Sequence, residues 1–407
     1  MTSAGSPRVS VTDSTFASRS PARNARRLRV LITTATLRSR SGTTLYVRDL
    51  ALELQRQGHE PAVYTLSSGE LAAELRAAGI PVLTSLSPGW DDPDIIHAHH
   101  YLPTLTALGR YRTTPAIHVC HDHLNWLDRT PAQARVRRHF AVSNVCRERV
   151  ASEGIPRGDV DLLLNWVDMR RFTRRAPLPD RPERAVVFSN AARADTHLPA
   201  VQEACRRAGI RLDVIGVAAG RPSRVPERQL GDYDLVFAKA RSALEAMAVG
   251  CAVILCDYAG SGPMVTTANF DGLRPQNFGF EALQFPLEPD YLLGQVARYD
   301  ARDATAVSDR VRGSCDLHSA AERLVAIYSD VVESYRQVVH DVTRREPDLD
   351  LAGIARRVRL YRLYVWLYSG LETPLGAWLK RVPGWGVLRF FNRSVWRRLE
   401  FKGSERR

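Results

Sequence analysis

Lysine is nearly absent from this chain of 407 residues: three lysines stand against 54 arginines. An imbalance of that size reads as a coding bias, so the formal net charge of +13 is weak evidence for a phosphate-binding surface. Long apolar runs are also missing, and no stretch reaches the ~18 uncharged apolar residues that a membrane span requires. Residues 1–26 are rich in Ser, Thr, Arg and Pro without an apolar centre, which argues against a secretory signal and for a disordered leader. The six cysteines, Cys120, Cys146, Cys205, Cys251, Cys256 and Cys315, share no metal-type spacing. Several lie inside apolar runs, as small core residues of a reducing, cytoplasmic compartment do. Acidic residues are scarce at the end. From 351 to 407 thirteen basic residues face three acidic ones, so +10 of the +13 sits in that tail. No recognised nucleic-acid module surrounds those basic residues, and nucleic acid is set aside as a partner.

What is present is alternation. Hydrophobic residues make up 44% and charged residues 25%, and the length suits two domains of roughly 100–200 residues each. Apolar runs at Arg29–Thr34, Ala62–Leu66, Val82–Thr84, Ile95–His97, Ile117–Cys120, Phe140–Val142 and Asp161–Leu164 read as strands. Helical patterns that often end in glycine separate them. Pro177 to Pro182 breaks the pattern, which restarts with Ala185–Ser189, Pro199–Ala208 and Leu212–Gly216. Strands and helices alternating at these distances imply parallel sheets wrapped on both faces. The expected units are 27–176, 183–340 and an extension, 351–407.

The most informative stretch is Asp234 to Asp257. Leu235–Phe237 and Val253–Cys256 have the length and composition of buried parallel strands. The helix between them is expected to start at a Ser242 cap and to stop at Gly250 in a left-handed conformation. Glu245 then faces the carboxyl ends of two strands, where a carboxylate accepts ribose hydroxyls; the plainer alternative is one solvated glutamate on a buried helix. Six of eleven histidines fall between His97 and His123. His97 and His99 share one face of a strand end and His100 takes the other, as a cleft-facing pair or a buried one. Neither cysteine nor tight carboxylate spacing joins them, and no metal is expected.

Leu244 to Gly250 (Leu-Glu-Ala-Met-Ala-x-Gly) resembles the nucleotide-sugar site of glycosyltransferase family 4. Six further landmarks resemble that family in order: Ser41-Gly42-Thr43-Thr44, Gly58-His59-Glu60, Asp94 to His99, Val119-Cys120-His121-Asp122, Val142-Ser143, and Asn165 to Asp168 with Phe172. The likeness runs from about Arg29 to Val339. It implies an α/β protein of two doubly wound, Rossmann-like domains facing a cleft, the GT-B architecture. Residues 27–176 would be the acceptor side and 183–340 the nucleotide-sugar domain. It implies a nucleotide-diphosphate sugar as substrate, no cofactor or metal, and retention of configuration with the leaving phosphate as base. On the donor it would place Gly42, Thr43, Ser242 and Glu245, at the reacting centre His121, and on the acceptor side His97 and His99. Gly42, lacking a Cβ, would let a helix start approach a phosphate closely.

Departures from the family pattern fall on the donor side. Phe237 stands where a first glutamate is usual, Ala238 and Ala240 replace two glycines, and Ala191 and Thr196 fall near the expected basic pair. Lys239, Arg241 and Arg193 are the candidates to supply the missing charge; alternatively Lys239 is a solvated loop residue of a degenerate enzyme. The tail holds four of the seven tryptophans, and arginines with aromatic rings suit the headgroup layer of an anionic membrane. Packing against the N-terminal domain is the alternative, and Arg356, Arg357, Arg359 and Arg362 are spread around a helical wheel, which argues against a regular amphipathic helix. The expected activity is sugar transfer to a glycan or lipid-linked acceptor in cell-envelope or exopolysaccharide synthesis, by a cytoplasmic protein on the membrane's inner face. A non-catalytic nucleotide-sugar binder and a nucleotide-sugar epimerase are the rivals.

Overall fold

A computed structural model describes residues 26–86, 90–346 and 348–371. The first sheet contains β1 (Arg29–Thr36), β2 (Glu60–Ser67), β3 (Val82–Leu83), β4 (Ile95–Ala98), β5 (Ala116–Cys120), β6 (Val136–Ala141) and β7 (Val160–Leu162). Their order is β3-β2-β1-β4-β5-β6-β7, with every pairing parallel. The second contains β8 (Arg184–Phe188), β9 (Arg211–Ile215), β10 (Leu235–Ala238), β11 (Ala252–Asp257) and β12 (Gly260–Met264), ordered β12-β11-β10-β8-β9. Only β12 runs antiparallel there. Central strands are apolar on both faces because helices cover both faces: Val30, Leu31 and Ile32 are fully buried, as are Leu235, Val236 and Phe237. Strand order reverses between β1 and β4 and between β8 and β10. Crevices open outside the carboxyl ends of the strands at such points.

Two expectations need correction. The long helix Leu317–Arg336 was assigned to the second domain, within 183–340, but it packs on the first. Ala320, Leu324, Tyr328 and Val331 join the core that holds Val30, Leu54 and Ile117. The return crossing is pinned by backbone bonds from Val167 N to Cys315 O (2.8 Å) and from Leu317 N to Val167 O (2.9 Å). The second correction concerns the tail, which begins as a continuous helix, Leu351–Leu371. Ile354, Val358 and Tyr361, with partly buried Val365, pack beside Leu102 and Leu105 of helix Tyr101–Arg110. These four share one helical face, so the scattered arginines concealed a real stripe. Trp378, Trp385, Trp396 and the leader to Ala25 lie outside the described residues. No helix among the described residues is long and apolar enough to cross a membrane.

Candidate active site

Both crevices open into one cleft. A cavity of about 310 Å³ is lined from the first domain by Arg38, Arg40, Gly42, Arg48 and Glu70, and from the second by Ser189, Asn190, Gly216, Arg241, Ser242 and Glu245. Arg171, from the segment joining the domains, and Arg224 complete six arginines against two glutamates. Gly42 opens helix Gly42–Arg56, which Ser41 caps by accepting from Thr44 N. A Cβ on Gly42 would meet nothing within 4 Å, so the space over that helix start is open.

The helix expected to start at Ser242 starts earlier, at Ala240, with Lys239 as its N-cap and no side-chain cap bond. Ser242 therefore presents itself to the cavity and caps nothing. Gly250 ends the helix at φ +104°, the left-handed stop expected of it. Starting at Ala240 moves Glu245 into the second turn, one turn from Arg241.

Arg241 is not available to a diphosphate. Its side chain is buried; Nε donates to Glu245 Oε1 at 2.8 Å and an Nη donates to Asp49, across the cleft. Arg48 Nε also donates to Asp49, at 2.7 Å, and Arg171 reaches the same carboxylate at 3.5 Å. Burial alone would raise Asp49, but Arg241, Arg48 and Arg171 outweigh it and hold the carboxyl below its ordinary range. At Glu245 burial, with the nearby Asp49 charge, outweighs Arg241 and Arg171, and its pKa is raised. Arg193 is corrected as well. It is exposed and bonded to Asp195 at 2.7 Å, and it lines a separate cavity beside β9. Thr43 is half-buried in the first helical turn and does not line the cleft cavity.

Lys239 has the loosest pairing of the three proposed cations. Its Nζ lies 3.8 Å from Asp257 Oδ2 and 4.3 Å from the Phe280 ring centroid. Arg38, missed from sequence, has no carboxylate partner among the described residues. Only its place after β1, at the switch point, could have marked it.

The histidines form a buried core. His97 and His99 are fully buried, their rings 4.6 Å apart, and His121 Nε2 lies 2.8 Å from His99 Nδ1. His97 Nδ1 bonds the Tyr328 hydroxyl. Tyr46 packs on His99 and His121 at 5.1 and 4.8 Å. Central β4 has helices on both faces, so neither His97 nor His99 presents an atom to an acceptor. Burial holds His97 down to about 3 and keeps His99 and His121 well below the ordinary range. His121 is half-buried against His99 and Tyr46 and does not line the cleft cavity. The next residues of its loop reach the cleft, with His123 6.3 Å from Phe280 of the other domain.

Two facing doubly wound domains with a cleft between their strand ends define the GT-B fold. Residues 40–171 match the family model described as Glycosyltransferase Family 4, a likeness that covers about a third of the chain. The solved glycosyltransferase of Rickettsia africae ESF-5 is similar, with a TM-score of 0.55 at 14% identity over 76% of this chain and 99% of that one. Anabaena HepE in complex with UDP-glucose gives 0.54 at 14% identity over 75% and 100%, and its complex with UDP gives 0.53 at 14% over 74% and 100%. At that identity the likeness shows the fold alone. No curated protein sequence matches the chain.

Proposed function

We propose that this protein moves a hexosyl group from a nucleotide-diphosphate sugar to a glycan or lipid-linked acceptor. The observation that carries the reading is the cavity of about 310 Å³ in which six arginines face two glutamates beside the starts of two helices. Guanidinium groups and helix N-termini stabilise a departing diphosphate because they are fixed before charge develops. Arg38 does this with the amides at Gly42 and Ser242, while Arg241 and Arg48 set the positive potential from behind their carboxylates. The free oxygen of Glu245 accepts from ribose. The cleft's carboxylates are already held by arginines, so neutralisation by protein cations takes the place of a metal. Retention with the leaving phosphate as base requires no protein nucleophile. The work would be done at the inner membrane face, in cell-envelope or exopolysaccharide synthesis. UDP-sugar recognition is supported by the ligands of the Anabaena protein.

A panel of nucleotide sugars screened by thermal melting tests this. A ligand present at about 100 times its Kd adds about 2.7 kcal/mol and raises Tm by several degrees; a panel with no shift contradicts the reading. A second reading, binding without transfer, is favoured by the Arg241–Asp49–Glu245 lock and the apolar Phe237. Donor turnover with released nucleotide would dismiss it.

A further inference from the structure

The same helix start has a second side. Lys239, one residue before the helix, turns away from the arginine cavity toward Asp257, at the end of β11. Asp257 is 4% exposed, and its Oδ2 accepts from Ser189 Oγ at 3.0 Å. His197 is fully buried beside them, neither ring nitrogen having a hydrogen-bond partner. Above this polar floor stand two exposed rings, Phe280 (37%) and Tyr258 (54%), 5.8 Å apart. His123 closes on Phe280 from the first domain.

Backbone strain concentrates at the same place. Ala240, Asn277 and Phe278 have φ of 49°, 55° and 50°, and Ala240 N donates to Phe278 O at 2.7 Å. Such conformations cost non-glycine residues about 1–3 kcal/mol each and mark places the surrounding structure holds for a purpose. Here they aim Lys239 and Phe280 at one another.

We infer that Asp257, Lys239, Phe280 and Tyr258 form the subsite that reads the donor's sugar, a neutral pyranose. Aromatic faces cover the apolar C–H face of the ring, and the Asp257 carboxylate accepts from its hydroxyls. The subsite abuts the cavity proposed for the diphosphate, because Lys239 and Ser242 belong to one helix start. This assignment rests on the nucleotide-sugar reading and adds which residues recognise the sugar.

Calorimetric titration with UDP-glucose and with UDP, on the full chain and on Asp257→Asn and Phe280→Ala, tests it. Asp257→Asn is expected to weaken UDP-glucose by roughly tenfold or more and Phe280→Ala by roughly threefold or more, with UDP affinity changed less than about twofold in both. Equal losses for both ligands, or no loss for either, would overturn the subsite. Thermal melting of each variant shows that it is folded; if Asp257→Asn is not, Phe280→Ala at the exposed rim decides alone. Failure of the unaltered chain to bind either ligand instead brings down the UDP-sugar reading, and the subsite with it.

Discussion

Ala240 enters its helix at φ 49°, a conformation glycine adopts at no steric cost and alanine does not. The backbone takes a glycine geometry at a position that this chain fills with alanine. Ala240→Gly should therefore stabilise the fold by about 1 kcal/mol, read as a higher denaturation midpoint at unchanged slope; an equal or lower midpoint would show that the strain is already relaxed. The neighbouring residues show what a single sequence discloses at this scale. Gly250 and Glu245 were legible, since a stop and a carboxylate on a helix depend on local spacing. The fate of Arg241 was not, because Asp49 lies 192 positions away and across the cleft. Arg193 looked equally suitable and is bound to a neighbour two residues on. Charge type can be read from sequence, whereas which charges cancel depends on packing.

Among the elements, the buried parallel strands were plain because runs such as Val253–Cys256 need both faces covered. β12, Gly-Ser-Gly-Pro-Met, gave no signal, since glycine and proline are poor strand formers and neighbours fix its pairing. The 351–371 helix shows a subtler failure, for its buried stripe is narrow. Its outer face carries Arg356, Arg359, Leu363, Trp366 and Leu367, with Trp366 68% exposed, and the helix has no acidic residue. That face suits an anionic bilayer surface. Replacing Leu363, Trp366 and Leu367 together by Ser leaves the docked stripe intact. It should abolish flotation with phosphatidylglycerol vesicles at unchanged Tm. Undiminished flotation would refute membrane docking by this face.

At the scale of the whole molecule, buried histidines couple the fold to pH. His97 is held near 3 and His100 and His139 near 4, chiefly by burial, from an ordinary 6.5. A lowered folded pKa means that protons favour the unfolded chain, so this stability is complete above about pH 6.5 and drains away as pH falls toward 4. Asp128, raised to about 7 by burial, acts in the opposite sense but is one group against several. Tm should hold level from pH 8 to 7 and fall steadily below 6.5; a flat profile down to pH 4.5 would contradict this origin.

The central claim is that the cleft's uncompensated positive charge grips a diphosphate. Arg38 tests it most directly, because it is solvent-facing and bears no structural ion pair. Calorimetric titration of the nucleoside diphosphate whose sugar conjugate stabilises the fold should show affinity lowered roughly tenfold in Arg38→Ala, with the parent nucleoside bound equally by both proteins. Identical diphosphate affinities in the two would contradict it.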